Sequence, residues 1–321
     1  MKEIDIRSIE GIFIGNAQDE KGGTGCTAVY CPEGAMAGVD VRGGGPATRE
    51  TDLLNPVNMI EKIHCVMLSG GSAYGLAAAE GAMRYMEEHG VGFDVGVGKV
   101  PIVPSACLFD LVAGDPACRP DAEMGYRALA QAEKNAAEEG LFGAGTGATV
   151  GKICGAERVM KSGLGFWAEQ VGDLKVGAVV AVNALGDVFD PVTHCPIAGL
   201  LNEEKTAVAS TTEAFKEMAR VDFDAFHGNT TLGCIITNAD LTKAQANKVA
   251  MMAHDGYARA IRPVHTANDG DSIYAVSLGQ LAADQDVVGT LAARVMAEAI
   301  LRAVQAADSA YGFPAAKDLA Q

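Results

Sequence analysis

Gly228-Asn229-Thr230-Thr231-Leu232-Gly233-Cys234-Ile235-Ile236-Thr237 sets a polar turn directly against an apolar run. The β-branched residues at 235–237 read as a buried strand. Two readings fit the hydroxyls at its entrance. One is an Asx/Thr turn, a common way into a strand. The other needs the chain to be cut between Asn229 and Thr230. Thr230 would then carry a hydroxyl nucleophile and a free α-amine, its own general base, on one residue.

The rest of the chain bounds the choice. Its 321 residues are 49% hydrophobic but only 6% aromatic, so the core must come from Ala, Val, Leu, Ile and Met. Length fits one large or two small domains. A formal net charge of −16 argues against nucleic acid or an anionic membrane as partner, since both need a basic footprint. No apolar run reaches the about 20 residues that span a bilayer. The N-terminus is charged and lacks a signal-peptide apolar region, so a cytoplasmic protein is expected. The eight cysteines form no C-x-x-C pair, which leaves most of them as small buried hydrophobes. The six histidines show no ligand spacing, so neither a metal nor any cofactor is expected.

Upstream, Ile12-Phe13-Ile14, residues 26–31 and Val39-Asp40-Val41 read as separate strands divided by glycine turns. Residues 63–68 read as a buried strand leading through Gly70-Gly71-Ser72 into a helix that stops at Gly90. A nucleophile elbow is rejected there, because Tyr74 stands where G-x-S-x-G needs glycine. The glycines suit close strand–helix packing, with backbone N–H groups available to a pocket. Asp121 starts a helix expected to end near Gly140. Residues 143–152 mimic a phosphate loop. Thr146 and Ile153 break that motif, and Lys152 is left as either a surface residue or a buried positive charge for a polarised carbonyl.

Residues 176–182 form a β-branched strand ending in Asn183, which is either turn chemistry or an amide aimed at an oxyanion. Residues 200–228 are the most linker-like stretch, the best place for a mobile, cleavable segment. Beyond the central strand, Thr242-x-x-Gln245 fits a capping box. It opens a helix to about Ile261 with Val249, Met252, Ala253, Gly256 and Ala260 on one face. Asp269 and Asp271 flank Gly270 at the mouth of a strand over residues 272–278. They are either a solvated turn or a pair of working carboxylates; the spacing lacks the oxygens of a calcium loop. A last helix is expected from Asp286 to about Ala307, and its alanine content fits burial between subunits.

Taken together, residues 22–26, 39–52, 70–76, 143–152, 176–183, 229–239 and 253–279 resemble the DmpA-type self-processing aminopeptidases. Within them the chain is most similar to the threonine-nucleophile branch of nylon-oligomer (6-aminohexanoate-oligomer) hydrolases. The resemblance implies one αββα sandwich of the ornithine-acetyltransferase-like N-terminal-nucleophile type over residues 1–321, cut into 1–229 and 230–321. It implies Thr230 as nucleophile, with Asp269 and Asp271 orienting it and moving protons. Many aminopeptidases of the family carry Ser and Glu at those two positions. It implies Asn183 as oxyanion donor, Lys152 beside the nucleophile, a small amide or peptide substrate, and tetramers of αβ units. Aminopeptidase members hold the substrate amine with a carboxylate in the segment matching residues 101–110. Here that segment has no Glu, and the direction of Asp110 is open. Two other readings share the pattern: an acyltransferase of the ornithine-acetyltransferase type, and a metabolite-binding protein that never cleaves.

Overall fold

The structure, a computed structural model, describes residues 1–218 and 228–319. The strands that matter to the site are β1 (Phe13–Asp19), β2 (Thr24–Val41), β3 (Lys62–Ser69), β4 (Leu164–Val171), β5 (Leu174–Ala181), β6 (Leu232–Asp240) and β7 (Ser272–Ala282). The helices are α1 (Ala78–Glu88), α2 (Ala122–Ala132), α3 (Thr211–Met218), α4 (Lys243–Ala260) and α5 (Gln285–Ala306). Among the described residues, no helix is long and apolar enough to cross a membrane.

Alternation along the strands builds the layers. Ile14, Val29, Val66 and Leu68 face Val179, Cys234, Ile236, Tyr274 and Val276 in the core between two sheet layers. The residues between them point outward. Ala28, Tyr30 and Met67 pack under α1 and α2. Ala178, Val180, Ile235, Ile273 and Ala275 pack under α4 and α5. The result is an αββα sandwich.

One feature departs from two separate sheets. Hydrogen bonding is continuous, in a ten-stranded sheet, because residues 26–31 and 39–41 belong to one 18-residue strand, β2. Its first half pairs with β1 and β3 and its last residues pair with β7. The register shifts between Tyr30 and Ala35. Pro32, which cannot donate to a ladder, sits in that irregular stretch and lets the strand cross between layers.

The helices follow local rules. The Thr242–Gln245 capping box is present at the head of α4, and Asp121 caps α2 by accepting from Met124 N. But α2 stops at Ala132, short of Gly140. Asn135 turns left-handed, at φ 44°, and its side chain accepts the Ile14 N–H of β1 at 3.1 Å. A tertiary hydrogen bond therefore overrides helical propensity. Helices α1 and α2 touch through Gly81 and Gly125, where a Cβ would lie 1.6 Å from Ala122 O and 1.8 Å from Ala78 O. The apolar face of α5 is buried within the chain against α4 and the sheet. Its alanines are explained by that packing, without a subunit partner. Met251 on α4 is exposed, whereas Met252 packs on Gly289 of α5.

Candidate active site

Register delivers the site. Strand β6 runs parallel to β7 with Leu232 opposite Ser272. The same spacing, carried back three residues, sets Asn229 opposite Asp269 as an isolated bridge. On its other edge β6 runs antiparallel to β5 with Leu232 opposite Ala181. Asn183, two residues past the end of β5, therefore meets Thr230, whose N–H donates to Asn183 O at 2.9 Å. Three strand ends converge on one peptide bond, that between Asn229 and Thr230.

Two groups sit on that bond. Gly270 N–H donates to Asn229 O at 2.9 Å, and the Thr230 hydroxyl donates to the same oxygen. A hydroxyl on that oxygen is also within reach of the carbonyl carbon. Thr230 is 4% exposed, so bulk water has little access to the bond.

Lys152 is buried, not on the surface. Its ammonium donates to Asn183 Oδ1 at 2.6 Å, to Gly228 O at 3.1 Å and to Asn183 O at 3.2 Å. Burial pushes it down to about 7, against the pull of Asp269 and Asp110. Near neutral pH it can therefore hold or release a proton. Asn183 is the hub: Oδ1 also accepts the Thr149 N–H at 3.1 Å, and Nδ2 donates to Phe109 O at 2.9 Å. In the intact chain Asn183 thus meets Thr230 through its backbone carbonyl, while its side-chain amide grips Lys152 and Phe109.

The two carboxylates are not a solvated turn, since both are buried. Asp271 Oδ1 accepts the Thr231 N–H at 2.8 Å, so it holds the residue one past Thr230. Its Oδ2 accepts from His265 Nδ1 at 2.8 Å. Asp269 Oδ2 accepts from Thr266 N at 2.7 Å and Thr266 Oγ1 at 2.6 Å. Burial and the charge of Asp271 raise Asp269 to about 6, against Thr266 and Lys152. Residues 42–45 clamp this loop from behind: Arg42 N reaches Asp271 O and Gly45 N reaches Asp269 O, each at 2.9 Å.

Asp110 points inward. It accepts from Thr24 Oγ1 at 2.7 Å and Gly71 N at 2.6 Å, and burial raises it to about 6. The glycine turn at 70–72 is likewise spent inside: Gly70 N donates to Gly25 O and Ser72 N to Leu108 O. Its N–H groups are taken up by protein acceptors. A second buried lysine, Lys161, was not singled out from sequence. It donates to Ala148 O and Ser162 O, each at 2.7 Å, and braces the loop that carries Thr149 and Lys152. His265 was missed too. Its signal was local, four residues before Asp269 on the same turn.

A narrow cleft beside Lys152 is lined by Val112, Thr149, Gly155, Val159 and Phe313. The stretch at 200–228, expected to be linker-like and cleavable, contains α3; its residues 219–227 lie outside the described residues.

The model of peptidase family S58 matches residues 5–317. An uncharacterised aminopeptidase of Mycobacterium leprae is 43% identical over 90% of this chain and 84% of its own. A 6-aminohexanoate-oligomer endohydrolase of an Agromyces species is 31% identical over 91% of this chain and 84% of its own. Among solved structures, the L-aminopeptidase D-Ala-esterase/amidase of Ochrobactrum anthropi, a variant of the Ntn-hydrolase fold, superposes with a TM-score of 0.70. It is 18% identical, covering 96% of this chain and 88% of that one, and speaks to fold alone.

Proposed function

The chain belongs to peptidase family S58, whose chemistry is amide-bond hydrolysis, and we propose that it cuts itself between Asn229 and Thr230 and then hydrolyses amides with Thr230 as N-terminal nucleophile. One observation carries the reading: the Asn229 carbonyl oxygen is held by Gly270 N–H with the Thr230 hydroxyl on the same oxygen.

In the self-cut, Thr230 Oγ adds to the Asn229 carbonyl carbon. The Gly270 N–H takes up the charge that develops on oxygen. Lys152, in its neutral form, accepts the hydroxyl proton and returns it to Thr230 N as the C–N bond breaks. An Asn229 ester on Thr230 Oγ remains, with a free α-amine. Water then opens the ester and regenerates the hydroxyl. During turnover the α-amine, whose ordinary pKa of about 8 suits the task, takes the hydroxyl proton and passes it to the leaving amine. Asp269 tunes Lys152, Asp271 fixes Thr231, and Asn183 holds Lys152 in place. The Asn183 amide, whose Nδ2 donates to Phe109 O in the intact chain, serves as oxyanion donor once it turns from that carbonyl to the substrate's.

The substrate class follows from Asp110. Its oxygens are committed to Thr24 and Gly71, which leaves the segment at 101–110 without a carboxylate for a substrate's free amine. This favours internal hydrolysis of linear amides, such as 6-aminohexanoate oligomers, over trimming from an amino end. The cut chain is read as αβ units that assemble into tetramers, which light scattering would check.

Intact mass under denaturing conditions tests the self-cut. Two species, 1–229 and a 230–321 fragment beginning with Thr, are expected from the native sequence. A single full-length species is expected from Thr230→Ala, inactive on an amide and oligomer panel. A Thr230→Ala chain that still hydrolyses amides would overturn the reading.

A further inference from the structure

His265 stands on the turn that leads to Asp269 and Asp271. Its backbone is left-handed, with φ 58°, a region that non-glycine residues seldom adopt, Asn, Asp and His more often than the rest. That bend lets both its backbone N–H, at 3.2 Å, and its ring Nδ1, at 2.8 Å, reach one oxygen, Asp271 Oδ2. A ring nitrogen facing a carboxylate carries the proton and donates. The opposite oxygen, Asp271 Oδ1, accepts the Thr231 N–H at 2.8 Å. The carboxylate is pinned at both ends, so the position of Thr231 is tied to the position of the imidazole.

The imidazole is pinned in turn. It stacks on Tyr257, with ring centres 5.8 Å apart and planes at 24°. It meets His254 edge-on at 4.7 Å. Tyr257 donates its hydroxyl to Thr231 O at 3.1 Å. Thr231 is therefore held through its N–H by the His265–Asp271 pair and through its carbonyl by the ring beneath His265. His254, the third ring, reaches Asp40 O at 3.1 Å and anchors the cluster to β2.

We infer that His265 is a positioning residue for the nucleophile: through Asp271 it fixes Thr231, and with it the approach of Thr230 to the carbonyl it attacks. The inference rests on the reading of Thr230 as nucleophile. Among the described residues, the charged and titratable groups around the Asp269–Asp271 pair are few. Lys152 faces Asp269 from the glycine-rich loop, Tyr257 faces Asp271 from α4, and Asp40 and Arg42 of the β2 end lie behind His254. With the His265 ring removed, Asp271 Oδ2 loses its Nδ1 donor, and a carboxylate with fewer donors takes a proton more readily.

Two substitutions separate positioning from mere packing. His265→Asn places an amide nitrogen near the site of Nδ1 and tolerates the left-handed backbone. His265→Gly keeps that backbone and has no side-chain donor. Precursor from brief, cold expression is moved to buffers from about pH 5 to about pH 8, and self-cleavage is timed by intact mass. His265→Asn is expected to cleave within about threefold of the native rate with the same acid limb. His265→Gly is expected to be at least about tenfold slower, with its acid limb displaced upward by about one pH unit. A packing role alone would lower the rate without moving the limb. Should His265→Gly prove unfolded in a thermal melt, His265→Asp repeats the test. It matches Asn in shape, reverses the donor, and is expected to displace the limb further. A native chain that cleaves while the folded donor-free variant keeps its acid limb overturns the inference alone. A native chain that never cleaves overturns the nucleophile reading and this inference together.

Discussion

Gly270 and Asn229 meet across the parallel junction of β6 and β7, with the Gly270 N–H on the Asn229 carbonyl oxygen at 2.9 Å. The absent side chain matters as much as the N–H. A Cβ at 270 would lie 2.5 Å from Thr230 Oγ1, below any normal contact. The donor can approach the carbonyl while the hydroxyl stays beside it because residue 270 is glycine. Gly270→Ala is therefore expected to displace the Thr230 hydroxyl and slow the self-cut by about 10²-fold, the cost of a misplacement near 1 Å. Intact mass over time reads it. A cut at the native rate would show that the Thr230 hydroxyl does not need its place beside residue 270.

Lys152 has two possible uses, as a fixed positive charge or as a base, and they predict opposite outcomes for one substitution. Burial holds it down to about 7, so the neutral amine dominates above that pH and the ammonium below it. If it takes the Thr230 proton, the self-cut speeds up as pH rises between about 6 and about 7, the values of Asp269 and Lys152. Lys152→Arg keeps the charge and gives up no proton. It is expected to lose about 10²-fold or more in rate, within the range general-base catalysis supplies. An arginine variant that cleaves as fast as the native chain would assign Lys152 to charge alone.

Gly228 lies flat against Phe109: a Cβ on it would be 2.5 Å from the ring, and its φ is 151°. Its carbonyl also accepts from Lys152 at 3.1 Å. Gly228→Ala must push the chain off the ring and take the scissile carbonyl with it. A displacement near 1 Å can cost about 10²-fold, and that loss is expected in the self-cut. Phe109→Ala added to Gly228→Ala opens the space and is expected to recover at least about tenfold. No recovery would mean that backbone strain at 228, not the ring, is what forbids the side chain.

How much of this was legible before the fold was known depends on the range of each interaction. The capping box at Thr242, the apolar β-branched run of β6 and the Gly-Asn-Thr-Thr turn are local patterns, and each reads directly from adjacent residues. The joining of residues 26–31 and 39–41 into one strand was not legible, because Pro32 and Gly34 mimic a turn and only pairing with β1, β3 and β7 holds the strand together. The end of α2 at Ala132 was hidden for the same reason, being set by a bond between Asn135 and Ile14. At the site, Asp269, Asp271, Asn183 and Lys152 could be named from the resemblance. What each one touches could not. Asp271 on Thr231, Lys152 on Gly228 and Gly270 on Asn229 all follow from the register of β6 against β5 and β7, which no local pattern encodes.

The two buried lysines also make a statement about stability. Lys152 and Lys161 both fall from 10.5 to about 7 through burial. The sign runs opposite to that of a lysine gaining a partner. Between about pH 7 and 10.5 the unfolded chain holds a proton on each that the folded chain has released, so unfolding takes up protons and stability rises with pH. The slope is at most about 1.4 kcal/mol per pH unit for each lysine. The rise ends near pH 9.0, the ordinary value for Cys. Above it the unfolded chain loses thiol protons that Cys26, Cys31 and Cys234 keep through burial. A Thr230→Ala chain, held intact, is expected to gain urea resistance from about pH 7 to about pH 9. Lys161→Met in that background removes one titrating site and leaves Gly145, Ala148 and Ser162 carbonyls without their donor. It is expected to lower stability by about 1–3 kcal/mol and to roughly halve the slope. A flat pH dependence in the parent would mean that both lysines stay charged in the fold, and Lys152 could then no longer be the base.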